Sequence, residues 1–211
     1  MTPAIAQVLA EIGKLPEQWH EAGSVSMTML EAIARHVGDR TLRHTMETGS
    51  GKTTLLLSHL SRRHLVFAIN DYDGTDTRSI TNVRESPLFN GRSVEFIEGP
   101  TQVTLPRHDF RDKLQLALID GPHGYPFPDL EYFHIYPHLE QDALLIVDDI
   151  QIPTVRHLFD FLREDEMFSL VEVVETTAFL RRTDAAVFSN VLDGWWLQNY
   201  NKRRFPVPYP D

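Results

Sequence analysis

Two short apolar runs, each ending in acidic residues, place the strongest constraint on how this chain can fold. The first run, Leu114–Ile119, ends in Asp120, and the second, residues 143–147, ends in Asp148 and Asp149. Such runs are typical of strands buried on both faces of a parallel sheet. Ligands of open α/β sheets bind beyond the carboxyl ends of parallel strands. We therefore expect carboxylates from these two strand ends to meet at one site.

The rest of the chain alternates between short apolar runs and longer amphipathic ones, which favours a mostly parallel sheet covered by helices. The predicted strands lie near 42–47, 64–69, 94–97, 114–119 and 143–147, and the predicted helices lie at 52–62, near 76–85, and around Val155, Leu158, Phe159 and Leu162. Two apolar runs close together, at 170–174 and 178–181, predict an antiparallel pair at the sheet edge. The predicted fold is an α/β, Rossmann-like, doubly wound sheet.

Three parts are predicted along the chain, and its 211 residues are enough for a single core. They are a helical N-terminal extension at 1–40, a core at 41–190, and a tail at 191–211 that is rich in proline and aromatic residues. Aromatic residues in such a tail commonly anchor it in a core or an interface. We expect Trp195, Trp196 and Tyr200 to anchor this tail on the protein body or on a subunit partner, without a helix.

Composition narrows the classes of partner. The chain has 30 acidic and 20 basic side chains, a formal charge of −10, which disfavours nucleic acid as a partner. It contains no cysteine, so disulfides and thiolate metal sites are excluded. No apolar stretch approaches the ~18 residues that span a bilayer, and the N-terminus lacks the basic region of a secretory signal. We expect a cytoplasmic protein that acts on a small molecule away from membranes; a homo-oligomer is left open.

The segment ETGSGKTT, which follows the first predicted strand, supports two interpretations. In one, it is a phosphate-binding loop of a nucleotide hydrolase, in which Lys52 binds the phosphates. The strand within residues 144–149, LLIVDD, would then place its terminal acid near a magnesium ion. That loop requires glycine where the chain has Met46. In the other, Glu47, Gly49 and Gly51 form a glycine-rich turn that lets the backbone approach a cofactor. Lys52 is then a solvated residue in the first turn of a helix.

The order of the remaining strand ends favours the second interpretation. Asn70 and Asp71 follow the second strand, where they can accept hydrogen bonds from a ribose. Gly99 opens a small turn after the third strand that can border an adenine, with Thr101 and Gln102 behind it.

With these residues, the chain resembles the class I S-adenosylmethionine-dependent methyltransferases over residues 40 to 182. Within that class it is similar to small-molecule O-methyltransferases, in the branch that includes macrocin O-methyltransferase, and more distantly to catechol O-methyltransferase. The resemblance implies a set of cofactor-binding residues: Glu47, Gly49, Ser50, Gly51, Asn70, Asp71, Gly99, Thr101, Gln102 and Asp120. It also implies that a segment such as the one containing Trp19, His20 and Ser24 can close over cofactor and substrate.

The resemblance further implies a magnesium ion held by Asp120, Asp148 and Asp149, and a catalytic pair formed by Asp120 and His123. A hard divalent cation takes oxygen ligands and leaves places for a substrate's oxygens. A histidine, with an unperturbed pKa of ~6.5, can take the proton of an acceptor hydroxyl near neutral pH. The acids could instead cap helices or bond loop amides, and a third interpretation is a methyltransferase-like fold that binds a ligand without turnover.

Overall fold

The structure is a computed structural model that describes residues 1–16, 19, 24–72, 74–187 and 194–205, with residues 72 and 75 described by their backbone alone. The α-helices are α1 Pro3–Ile12, α2 Met27–Val37, α3 Lys52–Leu60, α4 Ser79–Glu85, α5 Thr101–Thr104, α6 Phe127–Ile135, α7 Pro153–Leu162 and α8 Asn199–Arg204. The strands are β1 Leu42–Thr48, β2 Ser61–Ala68, β3 Asp71–Tyr72, β4 Thr75–Asp76, β5 Val94–Glu98, β6 Leu114–Ile119, β7 Leu139–Val147, β8 Phe168–Val174 and β9 Thr177–Arg182. Short 3-10 turns lie at Leu105–Arg107, Tyr136–His138 and Trp195–Leu197.

Seven strands form one sheet in the order β5-β2-β1-β6-β7-β9-β8. Strands β5, β2, β1, β6 and β7 are parallel, whereas β9 is antiparallel to both β7 and β8. The doubly wound sheet with an antiparallel edge pair is therefore confirmed. The chain steps outward from β1 in one direction and from β6 in the other, so the carboxyl ends of these two strands form the crevice where such sheets bind ligands.

The apolar runs form central strands because both of their faces are buried. In β6, Ala117 and Ile119 pack in one hydrophobic cluster, while Leu116 and Leu118 pack in the cluster on the other face. The first cluster includes residues of α6 and α7, and the second includes residues of α1, α2 and α3. The N-terminal helices thus share a core with the sheet.

Local signals explain where the N-terminal helices begin and end. The Thr2 hydroxyl accepts a hydrogen bond from the Ile5 amide at the start of α1. The Ser26 hydroxyl accepts one from the Met29 amide at the start of α2. Helix α2 ends at Gly38, whose φ of 68° suits glycine.

Two predicted helices differ from the observed ones. The helix expected near 76–85 begins only at Ser79, because β3 and β4 form a short antiparallel hairpin just before it. The helix expected at 52–62 ends at Leu60, and β2 begins directly at Ser61. The carboxyl ends of β1, β6 and β7 lie within one residue of their predicted positions.

The tail prediction is wrong on one point, because residues Asn199–Arg204 form the short helix α8. The described part of the tail packs on α7: the ring of Tyr200 lies 5.5 Å from that of Phe161. Arg204 donates hydrogen bonds to the carboxylate of Glu164, just beyond α7. Residues 188–193 and 206–211 lie outside the described part. In that described part, no helix combines the length and the apolar character needed to cross a membrane.

Candidate active site

A cavity of about 860 Å³ opens at the carboxyl ends of the parallel strands. This volume falls within the usual range of small-molecule and cofactor sites. Its wall consists of residues 49–53, 67–69, 99–102, 120–124, 127, 148–149 and 175–177, together with Trp19, residues 24–26, Met29, Thr77 and Ser79. Both predicted groups of site residues, the glycine-rich turn and the acids after β6 and β7, therefore face one space.

Gly49 brings the ends of β1 and β6 into direct contact. Its φ is 86°, and a Cβ atom there would lie 2.5 Å from the carbonyl oxygen of Asp120. A side chain would thus be strained and would collide with backbone, so only glycine fits. The Gly49 amide also donates a hydrogen bond of 2.9 Å to the carbonyl of Phe67 in β2.

The glycine-rich turn is too short for the phosphate-loop interpretation. Strand β1 ends at Thr48 and helix α3 begins at Lys52, which leaves three residues to turn the chain. Met46, which stands where that loop needs glycine, is fully buried in β1. The expectation that Lys52 is solvated is also wrong, since its side chain is 7% exposed and lines the cavity.

Glu47 lies beneath the turn and outside the cavity wall. Its side chain has no exposure. The Thr54 hydroxyl donates a hydrogen bond to Glu47 Oε1, and His64 Nε2 lies 3.1 Å from the same oxygen. The structure therefore connects Glu47 to α3 and β2 from behind the turn, while Gly49, Ser50 and Gly51 face the cavity.

The residues after β5 lie on the cavity wall, whereas those after β2 turn away from it. Gly99, Thr101 and Gln102 line the cavity. Asn70 Oδ1 instead accepts hydrogen bonds from the amides of Ile80 and Thr81, both at 3.2 Å, and so caps α4.

Asp71 also lies off the wall, where its carboxylate accepts a hydrogen bond from the Gly74 amide within the β3–β4 hairpin. In place of Asn70 and Asp71, the wall contains Ile69, Thr77 and Ser79. Sequence reasoning did not identify these three residues, which carry no motif.

The acids after β6 and β7 gather around His123. Its Nε2 lies 3.2 Å from Asp149 Oδ2 and 3.7 Å from Asp120 Oδ1, and neither contact is aligned as a hydrogen bond. Ligand atoms of Asp120, His123 and Asp149 all lie within 4.8 Å of one another, which makes them the candidate metal group among the described residues. We call these three residues the acid cluster.

Asp148 lies beside the acid cluster with one oxygen already engaged. Its Oδ1 accepts hydrogen bonds from the Thr177 hydroxyl at 2.5 Å and from the Asp149 amide at 2.9 Å. Asp149 has a φ of 58°, a left-handed conformation uncommon for a non-glycine residue. The structure thus groups Asp120 and Asp149 with His123, and holds Asp148 behind them.

Burial and mutual repulsion perturb this group of charges. Burial, together with the neighbouring charges of Asp148 and Asp149, raises the pKa of Asp120 to about 7 against the opposing effect of His123. Burial likewise raises the pKa of Asp148. The Asp120 carboxylate, whose Oδ1 lies 3.7 Å from Nε2, is the main factor that raises the pKa of His123. Perturbed carboxyl and imidazole groups in one cleft are typical of functional sites.

A further buried acid, Glu131 on α6, was not identified from the sequence. The Thr48 hydroxyl donates a 2.7 Å hydrogen bond to Glu131 Oε2 and accepts one of 3.0 Å from the Asp120 amide. A Cβ atom on Gly121 would lie 2.0 Å from Glu131 Oε1, so the carboxyl packs directly against the turn that carries Asp120 and His123. Burial raises the pKa of Glu131 to about 7. The only sequence signal for this contact is Gly121 itself.

The segment between α1 and α2 also contributes to the wall, through Trp19 and residues 24–26. The carbonyl of Trp19 accepts a 2.6 Å hydrogen bond from Asn82 Nδ2, which ties Trp19 to α4. His20 lies outside the described residues.

Comparisons with known proteins agree with this architecture. Residues 46–150 match a family model described as a methyltransferase domain. No curated protein sequence matches the chain.

Several solved structures share the fold. The O-methyltransferase TomG from Streptomyces achromogenes, involved in tomaymycin synthesis and solved with S-adenosylmethionine, has a TM-score of 0.57 at 16% identity over 87% of this chain and 91% of that one. An O-methyltransferase from Bacillus cereus, solved with S-adenosylhomocysteine, has a TM-score of 0.59 at 14% identity over 87% of this chain and 92% of that one. The S-adenosylhomocysteine-bound methyltransferase PaMTH1 from Podospora anserina has a TM-score of 0.59 at 16% identity over 87% of this chain and 89% of that one.

At these identities the structures establish the shared fold, and the family model adds the match in sequence. None of the comparisons supports the phosphate-loop interpretation. The resemblance predicted from the strand-end residues is confirmed: the chain contains a methyltransferase domain and has the class I methyltransferase fold.

Proposed function

We propose that this protein transfers a methyl group from S-adenosylmethionine to an oxygen of a small molecule, with a divalent cation at the acid cluster. The observation that carries the proposal is the single cavity that joins the glycine-rich turn to Asp120, His123 and Asp149. A methyl donor bound at the turn and an acceptor bound at the acids would share that space.

The cavity fits the cofactor in size and in lining. The Gly49–Gly51 turn permits close approach of the backbone, and the Ser50 hydroxyl has no hydrogen-bond partner among the described residues. Gly99, Thr101 and Gln102 belong to a short turn that borders the cavity farther along the sheet edge, where an adenine would lie. Asn70 and Asp71 would need to reorient to contact a ribose. Thr77 and Ser79 are the alternative ribose contacts, because their side chains are already on the wall.

The acid cluster fits a hard cation. Asp120 and Asp149 offer the carboxylate oxygens that magnesium and manganese prefer. Asp148 can join them through the oxygen that Thr177 leaves free. When bound, a divalent cation supplies the positive charge that favours the ionised form of an acceptor hydroxyl. The raised pKa of Asp120 also marks a place where positive charge would relieve repulsion between acids.

His123 would serve as the base. Its Nε2 lies close to Asp120 and Asp149 without an aligned hydrogen bond and would accept the proton of an acceptor hydroxyl bound beside these acids. The two carboxylates stabilise the imidazolium that results. The remaining contribution is geometric, because methyl transfer requires the oxygen in line with the methyl group, and holding two groups this way can supply up to ~7–11 kcal/mol.

The wall segment at Trp19 and residues 24–26 would cover the bound ligands and exclude water. Trp19→Ala should then weaken the binding of S-adenosylhomocysteine, as measured by titration calorimetry. The same proposal places the protein in the cytoplasm, and its acidic composition disfavours a nucleic-acid partner.

The first test is isothermal titration with S-adenosylhomocysteine and with ATP, each with and without Mg²⁺. Binding of S-adenosylhomocysteine but not ATP is the expected result, and the reverse would contradict the proposal. A screen of hydroxylated acceptors with methyl-labelled S-adenosylmethionine then separates an enzyme from a binding protein. Cofactor binding with no metal requirement and no methyl transfer to any acceptor would favour the non-catalytic alternative.

A further inference from the structure

A buried polar network lies beneath the glycine-rich turn and takes no part in the chemistry proposed above. It consists of Thr45 and Glu47 of β1, Thr54 of α3, and Ser61 and His64 of β2. None of these side chains is more than 5% exposed. Burying a glutamate and a histidine this deeply is unfavourable unless their polar atoms are paired. The pairing therefore indicates what the network holds in place.

The network runs from β2 to the turn. The Gly51 amide donates a 3.0 Å hydrogen bond to Thr54 Oγ1, and the Thr54 hydroxyl in turn donates to Glu47 Oε1. His64 Nε2 lies 3.1 Å from the same Glu47 oxygen. One hydroxyl, that of Thr54, thus links the backbone of the turn to a buried carboxylate.

The far end of the network anchors the imidazole. His64 Nδ1 lies 2.8 Å from Thr45 Oγ1, and Thr45 Oγ1 lies 2.7 Å from Ser61 Oγ. Donors and acceptors match throughout when the imidazole is neutral with its proton on Nε2: Ser61 donates to Thr45, Thr45 to His64, and His64 to Glu47. A continuous, directional path then connects the start of β2 to Gly51, on the cavity wall.

We propose that His64 and Glu47 are positioning residues that fix the glycine-rich turn in its ligand-binding conformation through Thr54. Their effect on the cofactor is indirect, because neither side chain lies on the cavity wall. One cost remains in the network, since Glu47 Oε2 is buried without a hydrogen-bond partner among the described residues. Retaining such a group fits a role in specifying one conformation of the turn. This inference rests on the proposed binding of S-adenosylmethionine.

The test compares Thr54→Val with Thr54→Ser. Valine matches threonine in shape but breaks both hydrogen bonds of the hydroxyl, whereas serine keeps them. Ser58→Ala is the matched control, because Ser58 is equally buried in the same helix and its hydroxyl bonds the Leu55 carbonyl. The affinity for S-adenosylhomocysteine is measured by titration calorimetry, and the thermal midpoint of each variant by calorimetric unfolding.

We expect Thr54→Val to weaken S-adenosylhomocysteine binding roughly tenfold or more, the loss typical of a hydrogen bond to a charged group. Thr54→Ser should restore most of the affinity. Ser58→Ala should lower the thermal midpoint but leave the affinity within about twofold of the wild type, as expected for a site with no shared partner. His64→Gln should weaken binding less than His64→Leu, because glutamine can still donate to Glu47.

Equal affinities of Thr54→Val and Ser58→Ala would overturn the inference while leaving the proposed function intact. That result is the one expected if the network only stabilises the fold: Thr54→Val and Ser58→Ala would both lower the thermal midpoint and would bind S-adenosylhomocysteine equally well. A wild-type protein that does not bind S-adenosylhomocysteine would instead refute the proposed function, and this inference with it. The two failures are therefore distinguishable.

Discussion

Glu47 and the carboxylates of the acid cluster lie at the same end of the sheet, but their surroundings differ. We compare Glu47, as one group, with Asp120 and Asp149, as the other. Glu47 is fully buried, and its Oε1 is paired with Thr54 and His64. Asp120 and Asp149 keep 26% and 29% of their side chains exposed and face His123 without aligned hydrogen bonds. A carboxylate matched with donors holds the structure together. Carboxylates that face one another lower stability and prepare a site for a cation or a proton.

The largest effect expected from this comparison concerns metal affinity. Asp149→Asn should weaken Mn²⁺ binding by at least about 100-fold, since changes behind a metal ligand already cost about 10–100-fold. Glu47→Gln should leave Mn²⁺ binding close to that of the wild type, because its side chain points away from the cavity. Calorimetric titration with Mn²⁺ measures both. Equal losses in the two variants would remove the distinction between the groups.

The second prediction concerns the protonation of His123. The nearby Asp120 carboxylate is the main factor that raises the pKa of His123, so Asp120→Asn should lower that pKa. The metal-free protein is followed by NMR of the histidine ring nitrogens, with His123→Gln to assign the signal. Glu47→Gln serves as the control and should leave the titration of His123 in place. An unshifted His123 signal in Asp120→Asn would mean that the two side chains do not interact in solution.

The third prediction is that removing charge has opposite effects on stability in the two groups. The native pKa of Asp120, about 7, lies above its unfolded value, so the native state holds the proton more tightly. Its contribution to stability is therefore fully present below the unfolded pKa of ~3.9 and is lost as the pH rises toward 7. Asp120→Asn should stabilise the protein at pH 8, by on the order of 1–3 kcal/mol, and have little effect at pH 4.

Glu47→Gln should destabilise the protein, by about 1–3 kcal/mol, because the charged acceptor of two buried donors is lost. Denaturant unfolding at the two pH values gives both free energies. Stabilisation by Glu47→Gln at pH 8 would show that Glu47 behaves like the acid cluster.

The smallest expected effect concerns Glu131, which has features of both groups. It accepts a hydrogen bond from Thr48, as Glu47 does from Thr54, yet burial raises its pKa to about 7. Glu131→Gln keeps the acceptor and removes the charge, so we expect a gain of about 1 kcal/mol at pH 8 and none at pH 4. Chemical unfolding measures this change in the free energy of unfolding, with Thr48→Val, which removes the donor to Glu131, as the reference variant. A loss of stability in Glu131→Gln at pH 8 would instead show that Glu131 behaves like Glu47.

The sequence predicts the sheet well because its central strands are apolar on both faces. The runs at 114–119 and 143–147 have few alternative structures. Asp120, which ends the first run, lies at the switch point between β1 and β6, and Asp148 and Asp149 end the adjacent strand β7. The β3–β4 hairpin and helix α8 were not predicted, since two-residue strands and a polar six-residue helix carry almost no periodic signal.

Residues of the cavity wall were predicted where backbone position decides the lining, and missed where side-chain direction does. Gly49 and Asp120 are fixed by the ends of β1 and β6. Asn70 is also at a strand end, but its carboxamide caps α4, and no local pattern distinguishes a cap from a ligand contact. Glu131 was missed because its contact with Gly121 joins residues ten apart in sequence across a turn.

The contact between Gly49 and the carbonyl of Asp120 has a mechanical consequence. The turn expected to hold the methyl donor and the turn expected to hold the metal touch through main chain, with no side chain between them that could absorb a displacement. A ligand that shifts one turn must therefore shift the other. Thermodynamic linkage then requires reciprocity: whatever factor a bound cation applies to cofactor affinity, the cofactor applies to the affinity for the cation.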